Sequence, residues 1–243
     1  MYEITPVDIT IAFIPVLVTL VIIFYWSTSL KNAAIAVLRM LLQLMLIGYT
    51  LEFIFHTNNQ WIILAVLSFM LLAASWIALG PLPVKRSTLL ACSVSAIAVG
   101  GIFNLVLISQ GVLHAEPWYQ PAILIPLAGM IFSNSMNSVS LAGERLYSEL
   151  EHHNDYARAR SIAFQAALIP ITNSLLAVGL VSLPGMMTGQ ILAGTSPLIA
   201  ARYQIIVMCM IFSSAGISAA LFLWLIRTQC RQQTAETGVD TCG

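Results

Sequence analysis

Val181-Ser182-Leu183-Pro184-Gly185-Met186-Met187-Thr188-Gly189-Gln190, set inside an apolar run from Ala166 to Ala193, decides how this chain is read. A run of that length and polarity crosses a bilayer as a helix. Pro184 removes a backbone donor and clashes with the preceding turn, and Gly185 relaxes the chain, so a continuous helix is not expected through this point. Broken backbone at membrane depth persists only where protein or a wet cavity satisfies the freed polar groups. Broken helices near the midplane commonly line the path of a transported species, and Met186 and Met187 add flexible thioethers just after the break. The other reading of the same residues is a packing kink filled by methionine.

The rest of the chain supplies the setting for that break. Hydrophobic residues make up 59% and charged residues 8% of 243 positions, too apolar a balance for a soluble domain, so the expected class is an all-α, polytopic integral membrane protein. Apolar segments run Ile9 to Trp26, Ala33 to Phe55, Trp61 to Leu79, Leu89 to Ser109, Ala122 to Ala142, Ala166 to Ala193 and Tyr203 to Ile226. Each is near or above the ~18 residues needed to span, which predicts about seven transmembrane helices.

The formal charges cancel, so their placement matters more than their sum. Lys31, then Lys85 and Arg86, then Arg145, Arg158 and Arg160, then Arg227 and Arg231 follow alternate spans. The loops between lack lysine and arginine, except for Arg202 at the edge of the last span. The positive-inside rule then puts the N-terminus outside and the C-terminus in the cytoplasm. This predicts one transmembrane domain over residues 1–231, with a cytoplasmic loop over 144–165, whose few apolar residues and lack of proline and glycine suit a surface helix, and a short polar, disordered tail over 232–243. Glu3 and Asp8 precede the first span without a positive n-region, so that segment is expected to be retained rather than cleaved. No basic stripe suggests nucleic acid. Cys92 and Cys209 lie in apolar spans and Cys230 and Cys242 in the tail, without a zinc spacing, so buried structural thiols and free reduced ones are expected.

Polar residues inside the spans are the candidates for function. Pro126, Met130, Asn134 and Asn137 share a face of the fifth span by spacings of four, four and three. Amides and a thioether on one stripe suit a hydrated path, or hydrogen bonding between helices. Arg39 and Gln43 share a face of the second span, Arg39 either facing protein or water or snorkelling to the headgroups. Thr172, Asn173 and Ser174 precede the broken stretch. Pathway candidates are therefore Met130, Asn134, Asn137, Pro184, Gly185, Met186, Met187 and Gln190, with Arg39, Gln43 and Asn173 as pathway or structural polar groups. Ser93, Ser95, Ala96, Ala98, Gly100 and Gly101 mark the fourth span as a close-packing helix. Glu149, His152 and His153 sit three and four apart, which presents either weak metal ligands or a solvated helix face. His114 and Glu116 in an outer loop are two ligands at most.

Titratable carboxylates are absent from the middles of the spans, which disfavours proton coupling. There is no G-x-x-x-x-G-K-[ST] loop, HExxH or GxSxG, so this chain is not expected to be an enzyme or to hydrolyse ATP itself. The residues leave three classes open: a pathway energised by a partner, an autonomous channel or sodium-coupled carrier, and a membrane scaffold that transports nothing.

Four blocks narrow that choice. Arg39-Met40-Leu41-Leu42-Gln43-Leu44 with Ile47-Gly48-Tyr49, Ile125-Pro126-Leu127-Ala128-Gly129-Met130 with Asn134, Ala166-Ala167-Leu168-Ile169-Pro170, and Val178-Gly179-Leu180-Val181-Ser182-Leu183-Pro184-Gly185-Met186-Met187 with Gly189 resemble the bacterial Fet-type permeases. Those are membrane subunits of an iron-exporting ABC transporter, related to plant aluminium-tolerance permeases that have also been linked to nucleotide sugars. The resemblance covers the second to seventh spans. It implies a bacterial inner-membrane permease that forms a homodimer and exports iron or another metal ion. It also implies a separate ABC ATPase that carries the ATP and Mg, with no cofactor on this chain. Glu144, Arg145, Glu149, Asp155, Arg158 and Arg160 would then belong to the loop that touches the ATPase.

Overall fold

The computed structural model describes residues 5–26, 30–55, 59–152 and 155–237, within two compact units, Met1–Thr57 and Asn58–Gly243. The first unit contains α1 (Pro6–Ala12), α2 (Ile14–Trp26) and α3 (Leu30–Phe55). Thr5 and Asp8 cap α1 reciprocally: the Asp8 carboxylate accepts from the Thr5 N–H at 2.8 Å while the Thr5 hydroxyl accepts from the Asp8 N–H. Both satisfy donors that a helix start leaves free. Pro15 has no N–H to offer, and the helix is interrupted two residues earlier at Phe13, the kink expected of a proline there. Arg39 and Gln43 are exposed one turn apart on α3.

The second unit contains α4 (Gln60–Ala78), α5 (Arg86–Val106), a π-helical extension of α5 over Leu107–Val112, α6 (Pro121–His152), α7 (Tyr156–Ala177), α8 (Gly185–Leu192) and α9 (Pro197–Thr237). Asn59 caps α4 through the Trp61 N–H at 3.0 Å, and the Gly80-Pro81-Leu82-Pro83 turn stops it as its composition requires. Arg86 lies 5.5 Å over the Trp76 ring. Helix α9 packs against α5, α6, α7 and α8, and Ile97, Ile131, Leu146, Met210 and Phe222 are fully buried in this core. The small residues of α5 do what they promise: a Cβ at Gly100 would lie 3.0 Å from the Ser218 backbone nitrogen. Asn104 joins the same contact, donating to the Gly100 carbonyl at 2.7 Å and accepting from the Ser213 hydroxyl.

Among the described residues six helices are long and apolar enough to cross a membrane: Val7–Trp26, Leu30–Thr50, Gln60–Ala78, Arg86–Val112, Pro121–Glu151 and Pro197–Arg227. The chain is a multi-pass membrane protein. The remaining expected span, 166–193, is divided between α7 and α8. Its direction follows from contacts. The Tyr156 hydroxyl donates to the Leu223 carbonyl, and a Cβ on Gly143 would lie 3.1 Å from the Phe222 ring, so the start of α7 and the later part of α9 share one end of the bundle. The start of α9 lies at the other end, and α7 with α8 carries the chain between them.

Several expectations change in detail. The break does not begin at Pro184: α7 ends at Ala177, the chain turns over 178–184, and Pro184 is the residue from which α8 restarts. The segment 144–165 is helical over most of its length: α6 runs on to His152 and α7 begins at Tyr156. The polar tail continues α9 to Thr237 instead of unravelling after Arg231. Neither spanning cysteine is buried: Cys92 is half-buried and Cys209 exposed. Of the weak metal-ligand candidates, the side chain of His152 and all of His153 lie outside the described residues.

Candidate substrate cavity

The turn over 178–184 resolves the polar-group problem posed by a broken helix, and it does so with its own backbone. The Ala177 carbonyl accepts from Leu180, Val181 and Ser182 N–H at 3.2, 2.8 and 3.1 Å, and the Gly179 N–H donates to the Ser182 carbonyl at 3.0 Å. Gly179 has φ +80°, a left-handed conformation that a side chain would strain. With its ends tied, the turn leaves α8 free to aim one face inward. Met186 and Gln190, four apart on that face, meet Pro126 and Met130, four apart on α6, and Tyr203 and Val207, four apart on α9.

These three helices line a partly open cavity of about 180 Å³, completed by Ile108 and Leu113 at the π-helical segment and by Ala122, Ile123, Leu127 and Ile206. Its α6 wall extends from Ala122 to Met130, about 12 Å along the helix axis. Pro126 donates no hydrogen bond, so the Ala122 carbonyl loses its ordinary i+4 partner beside the cavity. The Gln190 Oε1 is buried with no hydrogen-bond donor. Met130, Met186 and Gln190 line one small space and bring no fixed charge to it, a neutral set compatible with a cation. Organic ligands ordinarily occupy about 300–1,000 Å³, so this conformation of the cavity matches an ion better than a nucleotide sugar.

Of the predicted pathway residues, Met130, Met186 and Gln190 are brought together. Asn134 lies one turn beyond Met130, and its amide donates to the Met130 carbonyl at 2.8 Å. Asn137 and Asn173 are exposed. Pro184, Gly185 and Met187 do not line the cavity: Pro184 starts α8, Gly185 has open space around it, and Met187 is turned from the lining face. Tyr203, Ile108 and Leu113 were not singled out by the sequence. Helical spacing on the last span pairs Tyr203 with Val207, whereas nothing in the hydropathy of 107–112 distinguishes a π-helix from an α-helix.

The segment 107–112 also borders a larger, apolar cavity of about 450 Å³, to which it contributes Ser109 and Gln110 opposite Leu64, Ser68 and Trp118. The Leu113 N–H reaches the Ile108 carbonyl at 2.9 Å, five residues back, and π-turns of this kind are frequent at functional sites.

At the other end of the bundle the α6–α7 hairpin gathers the charges expected of a coupling surface. Arg145 and Glu149 pair at 2.6 Å, and the Asp155 carboxylate caps α7 by accepting from Ala157 and Arg158 N–H at 2.9 and 3.3 Å. Those groups are engaged within the hairpin, while Glu144, Arg158 and Arg160 are exposed. No group of three His, Cys, Asp or Glu side chains able to hold a metal occurs among the described residues.

The model of an uncharacterised protein family, UPF0014, matches residues 6–230. Among similar proteins, the "UPF0014 membrane protein slr1647" of Synechocystis is 37% identical, over 79% of this chain and 86% of its own. The "Probable iron export permease protein FetB" of Escherichia coli is 35% identical, over 92% of this chain and 91% of its own. "Protein ALUMINUM SENSITIVE 3" of Arabidopsis thaliana is 32% identical, over 88% and 83%. No solved structure matches.

Proposed function

Since this chain belongs to the UPF0014 family, whose model covers residues 6–230, we propose that it is the permease subunit of an ABC transporter that exports iron or another transition metal ion. The observation that carries the reading is the convergence of Met130, Met186 and Gln190 on one small cavity at the broken helix. The cavity supplies donors without a fixed charge, so a cation can enter without being held permanently. Thioethers suit the softer transition metals and amide, carbonyl and hydroxyl oxygens the harder ones, and the lining residues Met130, Met186, Gln190, Ala122 and Tyr203 include both kinds. The similarity to a protein named as an iron export permease supports the same class of substrate.

Energy comes from a separate ATPase chain that carries ATP and Mg. Its docking surface is the α6–α7 hairpin, through Glu144 and Arg158, with the Arg145–Glu149 pair and the Asp155 cap holding the hairpin in shape. The working unit contains two permeases: Ser133 and Asn137 are exposed on α6 at membrane depth, and polar groups there are ordinarily turned towards protein or water. The protein acts in the bacterial inner membrane, with the arginine-bearing end of the bundle in the cytoplasm.

The test is purification of the tagged full chain from its native membrane with mass spectrometry for a Walker-motif ATPase, followed by metal flux in vesicles. The expected result is co-purification that is lost with Arg158→Glu, and flux that requires ATP. Flux in vesicles without any ATPase would replace this reading with an autonomous channel or carrier. An ATPase without flux would leave a scaffold.

A further inference from the structure

A third cavity, of about 360 Å³, lies between α7 and α9 at the arginine-bearing end, lined by Arg160, Ser161 and Phe164 from α7 and by Ala220, Leu223 and Trp224 from α9. We propose that it binds one anionic phospholipid, with the phosphate between Arg160 and Arg227 and an acyl chain along Phe164, Ala220 and Trp224. This rests on the chain's being a multi-pass membrane protein and not on the identity of the transported ion.

The groove has the two chemistries such a lipid needs, in the right order. Ala220, Leu223, Trp224 and Arg227 fall on one face of α9 by spacings of three, one and three, so the apolar wall ends in a cation. Arg227 sits 6.0 Å over the ring of Tyr156, the first residue of α7, which holds it beside the start of the helix that carries Arg160. Among the described residues neither arginine has a carboxylate within ion-pair distance. Trp224 is 61% exposed, and an indole at this level belongs to the headgroup belt. Basic pockets between membrane helices on the cytoplasmic face are where anionic headgroups are held. Charge complementarity therefore selects an anionic lipid over a zwitterionic one, and the apolar wall selects a lipid over a soluble phosphate. The proposal removes Arg160 from the ATPase surface and leaves Arg158, about 200° around α7, on it.

The experiment is native mass spectrometry of the detergent-purified full chain titrated with phosphatidylglycerol or phosphatidylcholine of matched chains. The wild type retains phosphatidylglycerol preferentially; Arg160→Gln weakens that retention about fivefold and Arg160→Gln with Arg227→Gln further, whereas Arg158→Gln leaves it unchanged. Arg160→Lys keeps most of it. Equal retention of both lipids, an equal loss in Arg158→Gln, or displacement by glycerol phosphate would overturn the proposal. Retention unchanged in Arg160→Gln while ATPase co-purification fails would instead give the groove to the partner subunit. A measurement that needs no arginine variant uses brominated lipids in bilayers: brominated phosphatidylglycerol quenches tryptophan fluorescence more than the phosphatidylcholine analogue, and Trp224→Phe removes the excess. Absence of any headgroup-dependent quenching would also sink it.

Discussion

Met186 and Met187 are adjacent in the chain and chemically identical, yet only Met186 lines the cavity with Met130 and Gln190. A helix turns about 100° per residue, and on α8 that step carries Met187 out of the lining that Met186 and Gln190 share. On the proposed pathway the two methionines therefore carry unequal weight. Met186→Leu conserves volume and removes the sulfur, and is expected to lower metal flux in ATPase-loaded vesicles about tenfold, as losing one metal-positioning group commonly does. Met187→Leu is expected to leave flux unchanged. Equal effects of the two would mean that packing, and not coordination, is what the methionines provide. Sequence alone could group Met130 with Asn134 and Asn137 by spacing, but not divide them. That division depends on where α8 and α9 cross α6, and the Asn134 amide is spent on the Met130 carbonyl.

The element that positions the cavity is the seven-residue turn between α7 and α8, and its existence was legible where its limits were not. Pro184 and Gly185 announce a break, but a proline is also a good helix start, and it is in that role that Pro184 stands before α8. The helix gives out earlier, at Ala177, where Gly179 takes the left-handed conformation that closes the turn. Gly179→Ala is accordingly expected to destabilise the protein by about 1–2 kcal/mol, read as a lower midpoint in a detergent thermal-unfolding assay. Gly185→Ala, whose site has open space and no left-handed φ, should have little effect. In the α6–α7 hairpin the lack of proline and glycine over 144–165 allowed a helix to be read, but not that it would be the continuation of α6 and the start of α7. Charge at a helix end marks departure from the bilayer rather than loss of helix, and Asp155 restarts the chain within a few residues.

At the scale of the whole molecule, hydropathy made the membrane class and the approximate number of crossings plain, because both follow from apolar length. It could not show that α9 would be the helix against which α5, α6, α7 and α8 all pack. That choice rests on close approaches such as Gly100 against Ser218, which depend on pairs distant in sequence. The orientation proposed from the arginines has a direct check in a cysteine-free background. Glu116→Cys should react with a membrane-impermeant maleimide in intact cells, and Glu144→Cys only after lysis; the reverse pattern would invert the molecule. The π-helical stretch 107–112, which borders both the small and the large cavity, carries a further consequence at the level of the gene. A π-turn is an α-helix with one residue too many, so removing a single codon, that of Gly111, should restore ordinary register while leaving a folded, membrane-inserted protein. The deletion would withdraw Ile108 and Leu113 from their present places and should abolish flux, which makes one surplus triplet the difference between a helix that merely crosses the membrane and one that shapes a compartment within it.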